Sequence, residues 1–124
     1  MEDIPAPRKV VWLGNSLKNI AEFPDGAKKL IGDELQFIQF GGMPKDAKPF
    51  IGVGSGVIEI AVKFNKEAYR CVQAVQLGTT IYVLHAFQKK STTGTKTPQK
   101  HVDLIKQRYN EAKELEKDEK ETKH

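Results

Sequence analysis

A chain of 124 residues, 39% hydrophobic and 29% charged, holds enough apolar side chains for one small domain with a modest core. Its apolar runs are too short to cross a bilayer, its single cysteine (Cys71) excludes an internal disulfide, and its three scattered histidines make no zinc site. The formal charge of +4 is unevenly spread: between His85 and Arg108 six cations (Lys89, Lys90, Lys96, Lys100, Lys106 and Arg108) face one acid, Asp103. Such a block suits a phosphate backbone, or is simply a solvated basic face.

In chain order, Lys9–Leu13 is short, β-branched and aromatic, and predicts a strand. Asn15 or Ser16 can cap a short helix that stops before Pro24. Asp25 opens a second helix whose buried face is Ala27, Leu30, Ile31, Leu35 and Ile38, ended by Gly41-Gly42. A loop from Met43 to Gly56 follows. Val57–Phe64, Tyr69–Leu77 and Thr80–Phe87 then read as three strands with connections so short that they form an antiparallel meander. A lysine- and threonine-rich loop leads to Thr97-Pro98, which opens a last helix with the stripe Val102, Ile105, Tyr109, Ala112 and Leu115. Residues 1–115 make one domain of α+β class, with two N-terminal helices and one C-terminal helix beside the meander. Residues 116–124 are a charged tail with nothing to bury, expected to fray. The acidic, proline-bearing start, Met1-Glu2-Asp3-Ile4-Pro5, lacks the pattern of a secretion signal, and a cytoplasmic location is expected.

Gly52-Val53-Gly54-Ser55-Gly56 fails as a phosphate loop, because it precedes a strand and no helix N-terminus follows to receive the anion. Glu59 shares a strand face with Val57 and Ala61, opposite Ile58, Ile60 and Val62; the isoleucine face is expected to be core and Glu59 to lie on the more open side. Its carboxylate is either a general base or an anchor for a nearby cation. Arg70 on the next strand is either a functional cation or the partner of Glu59. His85, Phe87 and Lys89 share one face; His85 could titrate near neutrality or be structural. Lys89 and Lys90 repel one another, and a phosphate between them would relieve that repulsion. Cys71, flanked by apolar residues, reads as a core residue.

Tyr69-Arg70, the run Ile81-Tyr82-Val83-Leu84-His85-Ala86-Phe87-Gln88-Lys89-Lys90-Ser91, Thr97-Pro98 and Leu104-Ile105-Lys106-Gln107-Arg108 together resemble the phage-derived branch of the RelE/HigB toxin superfamily. Trp12-Leu13-Gly14-Asn15-Ser16, Phe23-Pro24, Lys48-Pro49 and Gly56-Val57-Ile58-Glu59-Ile60 extend the likeness over nearly the whole chain outside its termini. The resemblance implies a small RelE-like fold and the toxin of a type II toxin–antitoxin pair. It implies a ribosome-dependent messenger RNA endonuclease that uses no metal or cofactor and directs the ribose 2′-hydroxyl at the adjacent phosphate. It also implies a small helix-turn-helix antitoxin as partner, beside ribosome and messenger RNA, and no membrane. The cations that could stabilise phosphate charge are Arg70 and Lys89, with Lys90 assisting; His85 and Glu59 are further candidates for the chemistry, and Lys96, Lys100 and Arg108 for contacts to RNA phosphates. Two departures stand out. Many members carry an arginine two residues after the strand glutamate, where this chain has Ala61, and the functional tyrosine of RelE-like toxins has as its only counterpart Tyr109, in an apolar stripe. A catalytically weak or inactive RNA- or ribosome-binding protein of the same fold is therefore the alternative.

Overall fold

A computed structural model of the chain describes residues 6–89 and 97–122. The elements run β1 (Val10–Trp12), α1 (Ser16–Ala21), α2 (Asp25–Gln39), β2 (Ala47–Pro49), β3 (Val57–Phe64), β4 (Glu67–Leu77), β5 (Thr80–Lys89) and α3 (Gln99–Thr122). They form one five-stranded sheet in the order β1-β5-β4-β3-β2. The expected meander is its centre: β3, β4 and β5 pair antiparallel, with Ala61 opposite Arg70 and Arg70 opposite Phe87. β3 and β4 are joined by Asn65-Lys66 alone, both at positive φ (50° and 69°), the backbone of a two-residue turn whose twist matches its strands. β4 accordingly begins at Glu67, earlier than the sequence pattern indicates.

Two strand placements are not legible in the pattern. β2 is a three-residue edge strand containing proline, tolerated there because an edge strand leaves one row of amides unpaired. β1 crosses the fold to lie parallel to β5, with Val10 opposite Ile81 and Trp12 opposite Val83.

Both faces of the sheet are covered. Ala27, Ile31, Leu35 and Ile38 of α2 pack with Ile58, Ile60, Val62, Tyr69, Cys71 and Ile81 on one face. Leu30 falls outside this stripe and is exposed, because the four residues at spacings of four and three already complete the buried face. On the other face Ile105, Tyr109 and Ala112 of α3 pack with Val57, Val72, Ala74, Tyr82, Leu84 and Phe87. α3 does not stop at Leu115, which is exposed; it runs to Thr122, and Glu116 accepts a hydrogen bond of 3.0 Å from the Tyr82 hydroxyl. The charged segment expected to fray is thus, up to Thr122, a continuation of the helix.

The glycine cluster before β3 serves packing. A Cβ at Gly54 would lie 2.4 Å from the Tyr109 ring, so only glycine lets this loop close over α3. Tyr109 itself is core, as its place in the stripe indicates. No helix among the described residues is long and apolar enough to cross a membrane.

Candidate active site

The sheet face beneath α3 gathers most of the residues singled out by sequence. Register places Glu59 beside Val72 and Val72 beside His85; one step along the strands lie Ala61, Arg70 and Phe87, and beyond them Lys63, Ala68 and Lys89. Glu59, Arg70, His85, Phe87 and Lys89 therefore share one surface, as strand alternation requires.

Glu59 is not on an open side. It is 7% exposed, because α3 and the loop before β3 close over this face as α2 closes over the other. Burying a carboxylate without a partner is costly, and Arg70 supplies the partner: its Nη1 donates to Glu59 Oε1 at 2.6 Å. The anchor reading of Glu59 and the ion-pair reading of Arg70 are both realised. The pair nevertheless leaves donor capacity, since Arg70 Nε is buried without a hydrogen-bond partner among the described residues. Lys89, 9% exposed, sits close enough to this guanidinium that burial and Arg70 together hold its pKa below the ordinary lysine value, with Glu59 pulling partly the other way. Lys89 thus lies within electrostatic reach of both members of the Arg70–Glu59 pair.

His85 is 4% exposed and belongs to a second cluster. Its Nε2 lies 2.8 Å from His101 Nδ1, and its Nδ1 lies 3.5 Å from Arg108 Nη1. Phe87 stacks on the His101 ring with centroids 4.1 Å apart. Burial, then His101, then Arg108 depress the His85 pKa from 6.5 to about 4, so His85 does not titrate near neutrality. Burial, then Lys100, lowers that of His101. The unfolded chain then binds protons at His85 below about pH 6.5 that the folded chain refuses until about pH 4. Stability should be constant above pH 6.5 and fall by roughly 1–3 kcal/mol between those limits as pH is lowered. Urea midpoints at pH 7.0, 5.5 and 4.5 check this, and His85→Gln should flatten the difference; equal slopes in both proteins would contradict the burial argument.

Arg108 does not face solvent. It is 9% exposed; Nη1 donates to Leu84 O at 2.9 Å and Nη2 to Asn15 Oδ1 at 2.8 Å. The guanidinium lies on Gly14, where a Cβ would approach Nη2 to 2.4 Å at a φ of +52°. Its expected role as an RNA-phosphate contact is corrected: Arg108 clamps α3 to β5 and to the turn before α1. Asn15 likewise makes no side-chain cap for α1, its oxygen being used by Arg108. Lys100 is exposed on the first turn of α3. Lys90 and Lys96 lie outside the described residues. Cys71 is fully buried, and burial, with Glu34 adding to it, pushes its thiol up to about 12, so it is a core residue and no nucleophile.

His101 and the clamp role of Arg108 are what sequence reasoning missed. The signal was present: His101, Ile105, Arg108 and Ala112 follow spacings of four, three and four, which put both polar residues on the buried stripe of α3.

With this geometry in hand, comparison with known proteins is specific. Residues 18–110 match the family model described as Phage derived protein Gp49-like. The chain belongs to this phage-derived family. Among solved structures the Gp49-like chain is similar to the free-state structure of the Escherichia coli toxin RelE carrying two arginine-to-alanine mutations. The TM-score is 0.55 at 11% identity, covering 69% of this chain and 87% of that one. The fold is therefore RelE-like. No curated protein matches the Gp49-like chain.

Proposed function

We propose that this Gp49-like protein is the toxin of a type II toxin–antitoxin pair and cleaves messenger RNA on the ribosome. The reaction is attack of the ribose 2′-hydroxyl on the adjacent phosphate, with the 5′-oxygen leaving and a 2′,3′-cyclic phosphate remaining. The observation that carries this reading is Arg70, held by Glu59 at 2.6 Å with a buried guanidinium nitrogen that has no hydrogen-bond partner among the described residues, and Lys89 close enough to feel its charge. Cations fixed in this way stabilise a phosphate whose charge grows in the transition state. Glu59 holds the guanidinium in place. A lysine takes up a proton at neutral pH only when burial or a neighbouring cation weakens its hold on its own, and Lys89 has both influences. Lys89 is thus suited to the 2′-hydroxyl proton as well as to phosphate charge, with Lys90 assisting.

Lys100, exposed at the start of α3, is assigned to RNA phosphates together with Lys96. Lys100→Ala should weaken ribosome affinity modestly and lower the slope of log affinity against log salt by about one, without changing cleavage at saturating ribosome. An acidic or bulky partner covering the basic side would neutralise the toxin; a small helix-turn-helix antitoxin encoded nearby fits that role, and ribosomes place the activity in the cytoplasm.

Expression in growing bacteria, followed by primer extension on cellular transcripts, tests the proposal. Growth arrest with new 5′ ends that require ribosomes supports it; normal growth and intact transcripts would sink it. The second reading, a binding protein without cleavage, draws on Ala61. This half-buried residue stands directly opposite Arg70, where many members carry a further arginine. Ribosome affinity without transcript cleavage would favour it.

A further inference from the structure

β1 covers β5 only at Ile81–Val83, so beyond Val83 the strand edge is flanked by α1 and α3 instead of by another strand. Between them opens a cleft of about 290 Å³ lined by Asn19, Glu22, Phe23, His85, Phe87 and His101. Its volume is at the small end for ligand sites and suits one planar ring system. Asn19 already uses its Nδ2 to bond Ala86 O at 2.9 Å, which fixes the α1 wall. Phe87 and His101 provide stacked rings, and Phe87 is also the cross-strand partner of Arg70. The cleft is therefore the immediate neighbour of the cation pair.

The hydrogen-bonding character of His101 is determined by its neighbours. A guanidinium only donates, so His85 Nδ1, facing Arg108 Nη1, must accept. The neutral His85 ring then carries its proton on Nε2 and donates it to His101 Nδ1. His101, with Nδ1 occupied as an acceptor, carries its own proton on Nε2. It is a donor toward any ligand that Nε2 meets, and Glu22, an exposed carboxylate on the same cleft, offers two acceptor oxygens.

The geometry points to a nucleobase subsite selective for guanine, in which His101 donates to O6 in the plane of its ring and the Glu22 carboxylate accepts from N1–H and N2–H, the base then lying parallel to the Phe87 ring. Guanine is the standard base whose pairing edge reads acceptor, donor, donor, the complement of one imidazole N–H beside a carboxylate. Aromatic stacking holds any base, so the edge contacts carry the selectivity. This inference rests on the RNA reading above and names which base lies beside the reacting phosphate.

The test needs no catalysis. The four nucleoside 5′-monophosphates are titrated into isotopically labelled protein and followed by amide shifts. GMP should bind about tenfold more tightly than AMP, CMP or UMP, with its shifts centred on α1, the end of β5 and the start of α3. Glu22→Gln and His101→Phe, the latter keeping the stack without the donor, should each remove most of that preference, and His101→Gln should retain part of it. Imidazole nitrogen shifts should show His101 protonated on Nε2 and unprotonated on Nδ1. Equal affinities for the four nucleotides, a preference that survives both substitutions, or the opposite His101 tautomer would overturn the subsite. A chain that prefers GMP yet leaves transcripts intact would keep the subsite and lose the nuclease reading; one that cleaves with no guanine preference would do the reverse.

Discussion

Arg70→Ala is expected to lower single-turnover cleavage at saturating ribosome by about 10²–10³-fold, the range for removing one preorganised donor from developing charge. Ribosome affinity should change far less, because the contact strengthens mainly as phosphate charge grows. One complication is built into the site: the variant strands Glu59, 7% exposed, without its ion-pair partner. Breaking a buried pair from one side costs about 3–5 kcal/mol, enough to unfold a small domain in part. The double variant Arg70→Ala/Glu59→Gln removes the stranded charge and should restore much of the stability while leaving cleavage lost. If the double variant cleaves like the parent, the single variant's defect lies in folding and Arg70 has no part in the chemistry. Lys89→Ala, which leaves the Arg70–Glu59 ion pair in place, should show the kinetic loss as well.

The second large effect belongs to Arg108. Its guanidinium joins Leu84 O, Asn15 Oδ1 and His85 Nδ1, so three elements share one side chain. Alanine there would leave a buried carbonyl without its donor and a gap against Gly14. A loss of about 3 kcal/mol is expected, since a hydrogen bond from a charged donor contributes about 1.5–3 kcal/mol and these contacts are only partly independent. Chemical denaturation measures it. The salt dependence of ribosome binding should keep its slope, in contrast to Lys100→Ala. A stable Arg108→Ala protein with a flattened salt slope would return Arg108 to the RNA contacts and contradict the clamp.

The meander was legible because its three runs are strand-like and its two connections are too short for any other pairing. Val57, Ile58, Ile60 and Val62 already hinted that β3 is apolar on both sides, the mark of a strand buried on two faces, yet Glu59 within that run suggests an exposed side. What hides it is α3, whose docking on the sheet is a tertiary event that no local period announces. Arg108 was misjudged for a related reason. Charge composition treats every cation as solvated, whereas the position of Arg108 on the helix stripe puts it among Ile105, Tyr109 and Ala112. Arg70 and Lys89 were easier, since alternation from Phe87 and Val72 fixes their face once the register is known. β1 was legible as a strand but not as the parallel neighbour of β5, because nothing in three residues specifies which edge they will join.

That parallel edge also orders events in time. The β3–β4–β5 hairpins close over turns of two residues and can form quickly, whereas Val10–Trp12 has no place to bind until Ile81–Val83 already lies in the sheet. The folding barrier should therefore be crossed with the meander formed and β1 still loose. Conservative substitutions in Ile60 or Cys71 would slow refolding, while those in Val10 would chiefly speed unfolding. Arg70 and Lys89 sit on the early part, but Asn15, which secures Arg108, and Asn19, which walls the cleft, follow β1 in the chain and arrive with the late part. Local opening in the native protein should retrace this order, detaching the N-terminal edge first and leaving the cation pair assembled on a sheet whose cleft has come apart.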